Sequence, residues 1–133
     1  MSEEIVRPTS AGDAAGPRRR RDLRLTPDAQ RWLPTIKRRL VRGFHPERII
    51  LFGSHAYGQP TADSDVDLMV VMPQRRWTRH QATDIRVRLG YAGFPMDLVV
   101  WTPERLSAWS KAGDALARDV VARGTVLYEH RRA

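Results

Sequence analysis

The sequence predicts a small α/β (α+β) domain in which a mixed sheet carries helices mainly on one face. Three observations predict it. The chain has 133 residues, about the length of one domain. Short runs rich in aliphatic residues follow the pattern strand, loop, strand, helix, strand. Two helix starts are marked by a threonine followed by proline and an acid, at Thr26-Pro27-Asp28 and Thr102-Pro103-Glu104.

The first of these helices is predicted to run from Thr26 to about Gly43. Thr26 is a suitable N-cap, Pro27 suits the first helical position, and Asp28 places a negative charge in the first turn. Pro34 lies well inside this segment and has no N–H to donate to the preceding turn. We therefore expect the helix to kink or restart at Pro34.

Three buried strands are predicted downstream, because each run is apolar and bounded by turn residues. They cover Arg48 to Phe52, Val66 to Val71, and Phe94 to Trp101. Residues 77 to about 90 form the helix between the last two, with Ile85, Val87 and Leu89 as its apolar positions. After the helix at Thr102, a last helix ends near Gly124 and Thr125 to Tyr128 add an edge strand.

The composition narrows the class of protein. The chain contains no cysteine, which excludes disulfides, thiolate metal sites and cysteine nucleophiles, and which fits a reducing compartment. No run of eighteen apolar residues and no apolar stretch after the N-terminal arginines is present, so neither a membrane span nor a signal peptide is predicted. We expect a cytoplasmic protein.

The positive charge is concentrated near the N-terminus. The net charge of the whole chain is +8, but residues 1–45 hold eleven Lys or Arg against five Asp or Glu, whereas residues 46–133 hold twelve against ten. Residues 1–22, with the run Arg18 to Arg21, are predicted to be a mobile basic tail before a domain over 23–133. Dedicated nucleic-acid binding is not expected, since the folded body is nearly neutral. The run is a solvated segment, an upstream misassigned start, or a contact for RNA or a partner.

A tight turn follows the first predicted strand at Gly53-Ser54. Glycine has no side chain, so its backbone can approach a phosphate closely, and Ser54 adds a hydroxyl and an N–H at a possible helix start. Such a pair alone is usually only a turn. Its neighbours in the sequence favour an anion site.

Asp65 and Asp67 stand two residues apart at the head of the second strand. Since side chains alternate along a strand, both project to one side while Val66 points into the core. Close carboxylates repel unless a cation neutralises them, and magnesium prefers oxygen ligands. A solvated acidic loop is the plain alternative. A calcium loop of the EF-hand type is excluded, because positions six and twelve counted from Asp63 are Leu68 and Gln74.

Asp97 lies inside the apolar run of the third strand, where an uncompensated charge is costly. If this strand neighbours the second, Asp97 joins Asp65 and Asp67 in a cluster that can share magnesium and accept a proton from an attacking hydroxyl. The alternative is an acid at the strand edge, exposed to water. Together with the turn at Gly53-Ser54, the three aspartates predict a site for phosphoryl transfer.

The string Gly53-Ser54, ten further residues and then Asp65-Val66-Asp67 resembles the signature of the DNA polymerase β-like nucleotidyltransferase superfamily, and in particular its minimal nucleotidyltransferase branch. The resemblance covers roughly Pro46 to Glu129. It implies a nucleotidyltransferase-like fold, a triphosphate held by Gly53 and Ser54, and magnesium held by Asp65, Asp67 and Asp97.

Two positions beside the turn, Tyr57 and His55, each allow two interpretations. Many relatives carry Arg where this chain has Tyr57, whose ring can stack or hydrogen-bond instead. His55 is either a contact for phosphate or acceptor, or a surface residue.

The resemblance also implies a biological role. Minimal members commonly act as antitoxins that transfer AMP from ATP to a tyrosine of a helical HEPN-type ribonuclease toxin. We therefore expect ATP as substrate, magnesium as cofactor and a toxin of this type as partner. The alternatives are a small-molecule nucleotidyltransferase of the antibiotic-modifying kind, and a catalytically weak antitoxin that acts by occlusion.

Overall fold

The computed structural model describes residues 25–90 and 95–130. Within these ranges five helices surround one four-stranded sheet. The helices are α1 (Pro27–Phe44), α2 (Ser54–Tyr57), α3 (Gln81–Leu89), α4 (Pro103–Lys111) and α5 (Ala115–Arg123). The strands are β1 (Arg48–Phe52), β2 (Val66–Val71), β3 (Met96–Trp101) and β4 (Thr125–Glu129).

The sheet is mixed, with the strand order β3-β2-β1-β4. Strands β2 and β3 are parallel neighbours, and α3 makes the crossover between them. Strand β1 is antiparallel to both β2 and β4. The predicted fold class is confirmed, and the predicted edge strand β4 indeed closes one side of the sheet.

The helices cover both faces of the sheet, whereas the sequence predicted that they lie mainly on one. Helices α1 and α3 pack on the face that carries Leu51, Leu68 and Leu98. Helices α4 and α5 pack on the opposite face, which carries Met69 and Val71. The physical reason is visible in β1, all five residues of which are buried: a strand that is apolar on both faces needs cover on both.

Helix α1 begins as its sequence predicts and passes through Pro34 without restarting. The Thr26 hydroxyl accepts a hydrogen bond from the Ala29 N–H, at 3.4 Å. Pro34 is exposed, so the backbone carbonyl that it leaves without an intrahelical donor faces the solvent side. The helix ends at Phe44, with His45 in the left-handed conformation as its C-cap.

Other boundaries differ from the predicted ones. Helix α3 starts at Gln81 rather than near residue 77, because Trp77 belongs to a turn and its indole N–H donates to the Val100 carbonyl of β3, at 2.9 Å. Val87, predicted as an apolar position, is 71% exposed. Phe94 and the predicted tail over residues 1–22 lie outside the described residues. Within the described ranges, no helix combines the length and the apolar character that a membrane crossing requires.

Candidate active site

Three of the predicted site residues meet at one edge of the sheet, the one at which β1 ends and β2 and β3 begin. Strand β1 ends at Phe52, which pairs with Asp67 at the beginning of β2, and Asp67 pairs with Asp97 in the parallel ladder to β3. Gly53 directly follows Phe52, so the turn and both carboxylates share this edge. Alternation along the strands puts Asp67 and Asp97 on the face covered by α4 and α5.

Gly53 is required by both conformation and space. Its φ of 77° lies in the region that side chains rarely adopt. A Cβ built on Gly53 would lie 3.0 Å from Asp67 Cγ and would overlap the carboxylate oxygen itself. The glycine therefore lets the backbone of the turn and the Asp67 carboxylate occupy adjacent space.

The turn after Gly53 is a single helical turn. The Gly53 carbonyl accepts from the N–H groups of Ala56 and Tyr57, at 2.9 and 3.0 Å, and the Ser54 carbonyl accepts from Gly58, at 2.9 Å. The N–H groups of Ser54 and His55 precede the first of these bonds, so the turn itself does not use them. The partly exposed Ser54 hydroxyl and these amides are the hydrogen-bond donors that the turn offers.

Burial and two neighbouring acids shift the pKa of Asp67. Burial, the charge of Asp97 and the charge of Asp65 raise the pKa of Asp67 from 3.8 to about 6, and the Asp97 side chain lies within hydrogen-bonding reach of it. Burial is the largest of these causes, and burial alone would also raise the pKa of an acid in the core of any domain. Here two further carboxylates add repulsion that a cation would relieve.

Asp65 and Asp97 are more open to water than Asp67. Asp65 precedes β2 and is exposed, while Val66 between the two acids is 1% exposed, in agreement with the predicted alternation. Asp97 is exposed between the buried Met96 and Leu98. Asp97 is therefore exposed to water, as one of the two alternatives held, and it also lies beside Asp67.

The arrangement offers two neighbouring carboxylates to a divalent cation and is not a closed cage. No three His, Cys, Asp or Glu side chains in residues 25–90 and 95–130 already stand as a group able to hold a metal ion. What the sheet presents is the pair Asp67 and Asp97, with Asp65 acting on it by charge. This fits magnesium, which usually takes one or two carboxylates and completes its shell with water and substrate phosphates.

The family comparison bears on this edge of the sheet. Residues 33–124 match the family model described as the nucleotidyltransferase domain. The chain belongs to this family. Neither the curated proteins nor the solved structures gave a significant match.

Membership in the nucleotidyltransferase domain family makes this chain a transferase with a nucleotide substrate. The matched range begins within α1 and ends after α5, so it contains the Gly53 turn and all three aspartates. Within the matched range, this edge of the sheet combines backbone donors with carboxylates.

His55 of this nucleotidyltransferase domain is buried, so it is not the surface residue that one reading of the sequence offered. The side chain is 1% exposed. Burial lowers the pKa of His55. A hydrogen bond with the backbone of Asp65 and the negative charge of Asp65 offset part of this shift. The ring reaches the wall of a cavity of about 740 Å³ that Trp32 and Ser64 also line.

The structure adds Arg123 to the residues near the turn, where it lies on the Tyr57 ring. The guanidinium carbon of Arg123 lies 4.1 Å from the centroid of the Tyr57 ring. Arg123 ends α5, nearly seventy positions further along the chain than Tyr57. No local spacing rule connects two such residues; α2 and α5 both pack against β1, which brings them together.

Proposed function

We propose that this nucleotidyltransferase domain transfers AMP from ATP to a hydroxyl, most suitably a tyrosine hydroxyl, of a partner HEPN-type ribonuclease toxin, and that it thereby acts as the antitoxin. The observation that supports the chemistry is the pairing of Asp67 with Asp97 on parallel strands, beside the Gly53 turn. The partner and the choice of AMP follow from the resemblance of the Gly53-Ser54 and Asp65-Val66-Asp67 strings to minimal nucleotidyltransferases.

In this proposal the turn binds the triphosphate. Gly53 keeps side-chain bulk away from the phosphates, and Ser54 offers its hydroxyl and its N–H as donors. The Gly58 position supports the turn, because a Cβ there would lie 2.8 Å from Ser54 Cα. The Gly58 N–H also donates to the Ser54 carbonyl at 2.9 Å, and a turn closed before the nucleotide arrives reduces the ordering cost of binding.

The carboxylates hold the metal and handle the proton. Asp65, Asp67 and Asp97 are the proposed ligands, and magnesium there would neutralise the negative charge that develops during phosphoryl transfer. The Asp97 carboxylate accepts the proton of the acceptor hydroxyl, whose oxygen forms a bond to the α-phosphorus. The bond from the α-phosphorus to the oxygen that bridges to the β-phosphate breaks, and pyrophosphate leaves.

The exposure of the acids favours a macromolecular acceptor. Asp65 and Asp97 both face solvent at the edge of the sheet, so a hydroxyl on a protein surface can reach them without entering a deep pocket. The cavity beside His55 favours the second candidate, a small hydroxylated acceptor, since about 740 Å³ is the size of a small-molecule site. The two candidates share every proposed catalytic residue and differ in the acceptor.

ATP labelled at the α-phosphate distinguishes nucleotidyl transfer from phosphorylation. With magnesium and the partner toxin, label from the α-position should appear on the toxin, and intact-mass measurement should show AMP-sized increments. Label transferred only from the γ-position would contradict the proposal. Asp97→Asn should lower the rate by about a hundredfold or more. The matched control is Asp63→Asn, an exposed acid in the loop before β2 that has no proposed role.

Neutralisation of the toxin separates catalysis from occlusion. The double variant Asp65→Asn/Asp67→Asn should still bind the partner but should fail to protect cells that express it. If the double variant protects as well as the wild type, occlusion and not transfer is the antitoxin mechanism. Screening small hydroxylated acceptors with the labelled ATP tests the second candidate in the same assay.

A further inference from the structure

We propose that Arg123 binds the phosphates of the nucleotide, and that the ring of Tyr57 holds its guanidinium at the site until the nucleotide arrives. This inference rests on the proposed function, because it assumes that a triphosphate lies at the Gly53 turn. It adds a side-chain cation to a site that is otherwise built from backbone donors and acids.

The topology places Arg123 at the correct edge of the sheet. Helix α5 ends at Arg123, and β4 begins two residues later at Thr125, which pairs with Leu51 near the end of β1. The same end of β1 leads into Gly53 and pairs with Asp67. Arg123 therefore stands at the edge where the turn and the carboxylates meet.

Gly124 fixes this position. A Cβ at Gly124 would lie 2.6 Å from the Val120 carbonyl oxygen and 2.7 Å from the Ile50 Cγ2 atom, so the chain passes too close to β1 for any side chain. The residue just before this close approach has little freedom in where its backbone lies. Helix α5 also covers the face on which Asp67 and Asp97 project.

The guanidinium is directed at the turn. Its carbon lies 4.1 Å from the centroid of the Tyr57 ring, which is within the range of a cation–π contact. Tyr57 ends α2, and Ser54 begins it, so the two are separated by one helical turn of about 5 Å. Phosphates bound at Ser54 would therefore lie about one helical turn from the residue whose ring the guanidinium contacts.

The contacts that hold Arg123 are weak enough to exchange. Its ion pair with Asp119 has a separation of 3.8 Å, with the two side chains 53% and 48% exposed. Exposed pairs and exposed cation–π contacts contribute little. Guanidinium–phosphate hydrogen bonds are charge-assisted and often bidentate, which makes them stronger. A triphosphate beside three carboxylates also raises the local negative potential, which favours recruiting a cation.

Nucleotide binding by the full chain tests the proposal. Calorimetry with ATP and magnesium should show Arg123→Gln to bind roughly tenfold or more weakly than the wild type, as expected for loss of a charge-assisted hydrogen bond. Arg123→Lys should fall between them. Adenosine, which has no phosphate, should bind the wild type and Arg123→Gln equally. The control is Arg118→Gln, an exposed arginine of the same helix that removes the same charge.

The role of Tyr57 has its own readout. Tyr57→Phe keeps the ring and should bind ATP within about twofold of the wild type, whereas Tyr57→Leu should bind more weakly. The Arg123 Hε resonance should be shifted by the ring current in the free protein and should lose that shift when ATP is added. A resonance that ATP leaves unchanged would argue against the proposed exchange.

The outcomes separate this inference from the proposed function. If the wild type and Arg123→Gln bind ATP with equal affinity, Arg123 has no role at the phosphates, while the nucleotide site itself stands. If the wild type does not bind ATP in the presence of magnesium, both proposals fail.

Discussion

Gly53 is the position where one added methyl group conflicts with both the backbone and the site. Gly53→Ala forces alanine into a φ of 77° and pushes Cβ into the Asp67 carboxylate. We expect a loss of about 1–3 kcal/mol in the free energy of unfolding and loss of nucleotide binding. Urea denaturation and calorimetry with ATP measure the two effects.

Gly113 provides the matched control for this prediction. Its φ is 92°, but a Cβ there meets nothing within 4 Å. Gly113→Ala should therefore show the strain alone, about 1 kcal/mol, and should keep its affinity for ATP. Equal ATP binding by both alanine variants would mean that the space beside Asp67 is not part of the nucleotide site.

Asp67 should make the metal-free protein less stable as the pH rises. Its pKa is raised from 3.8 to about 6 by burial, by Asp97 and by Asp65, so the folded state binds the proton more tightly than the unfolded chain does. The stability from this residue is full below 3.8 and is lost as the pH rises through about 6. With a chelator at about pH 7, Asp67→Asn should gain about 1–2 kcal/mol after allowance for solvent screening.

The reference for Asp67→Asn is the Asp63→Asn variant, measured with the same chelator. Asp63 is exposed and should leave the pH profile of unfolding unchanged. Magnesium should reverse the ranking, because the wild-type carboxylate gains a ligand that asparagine binds poorly. An Asp67→Asn variant that is less stable than the wild type under chelation would contradict the predicted repulsion.

His55 should have the opposite dependence on pH. Burial lowers its pKa below 6.5, so the unfolded chain takes up the proton first. The stability from His55 is present above 6.5 and is lost as the pH falls from 6.5 toward the lower folded-state value. Denaturation curves between about pH 5 and pH 7 should show a smaller loss of stability in His55→Gln than in the wild type. His80→Gln, at an exposed histidine, should keep the wild-type profile.

Helix α1 is continuous although Pro34 lies inside it. Pro34 is exposed, while Leu33, Ile36 and Leu40 are buried on the other side of the helix. Burial of this apolar stripe outweighs one missing backbone hydrogen bond, which explains why the helix continues through Pro34 and does not restart there.

Pro34→Ala should therefore stabilise the domain. Alanine restores the N–H and removes the ring from the preceding turn, although it also gives the unfolded chain more freedom. The net gain expected is about 1–2 kcal/mol in urea denaturation. Gln30→Ala, at an exposed position of the same helix, should change the free energy of unfolding by less than about 0.5 kcal/mol. A destabilised Pro34→Ala would indicate that α1 needs the proline for its path.

The helix boundaries show where local sequence patterns are sufficient to predict the structure. The caps at Thr26 and Thr102 were readable because a hydroxyl and a following proline act within one turn, and both hydroxyls accept the expected N–H. The start of α3 was not readable from nearby residues. Trp77 is removed from the helix by a hydrogen bond to Val100 of β3, a contact over a distance of 23 residues.

The folded domain as a whole should report nucleotide binding through its stability. Because ligand binds the assembled edge of the sheet and not the unfolded chain, ATP with magnesium at one hundred times its dissociation constant should add about 2.7 kcal/mol. Thermal unfolding of the wild type should move upward on addition of both ligands. The double variant Asp67→Asn/Asp97→Asn should show little or no shift in the unfolding temperature. A full shift would show that these carboxylates are not part of the ligand site.

The sequence by itself determined the strands, the capped helices and the identity of the residues at the candidate site. Gly53-Ser54, Asp65, Asp67 and Asp97 were identifiable because turns and strand alternation depend on neighbouring residues. The tertiary structure decided that helices cover both faces, that Asp97 is exposed, that His55 is buried, and that Arg123 lies on Tyr57. Each of these depends on which strands pair and which helices pack against them, and such contacts join residues that are far apart in the chain.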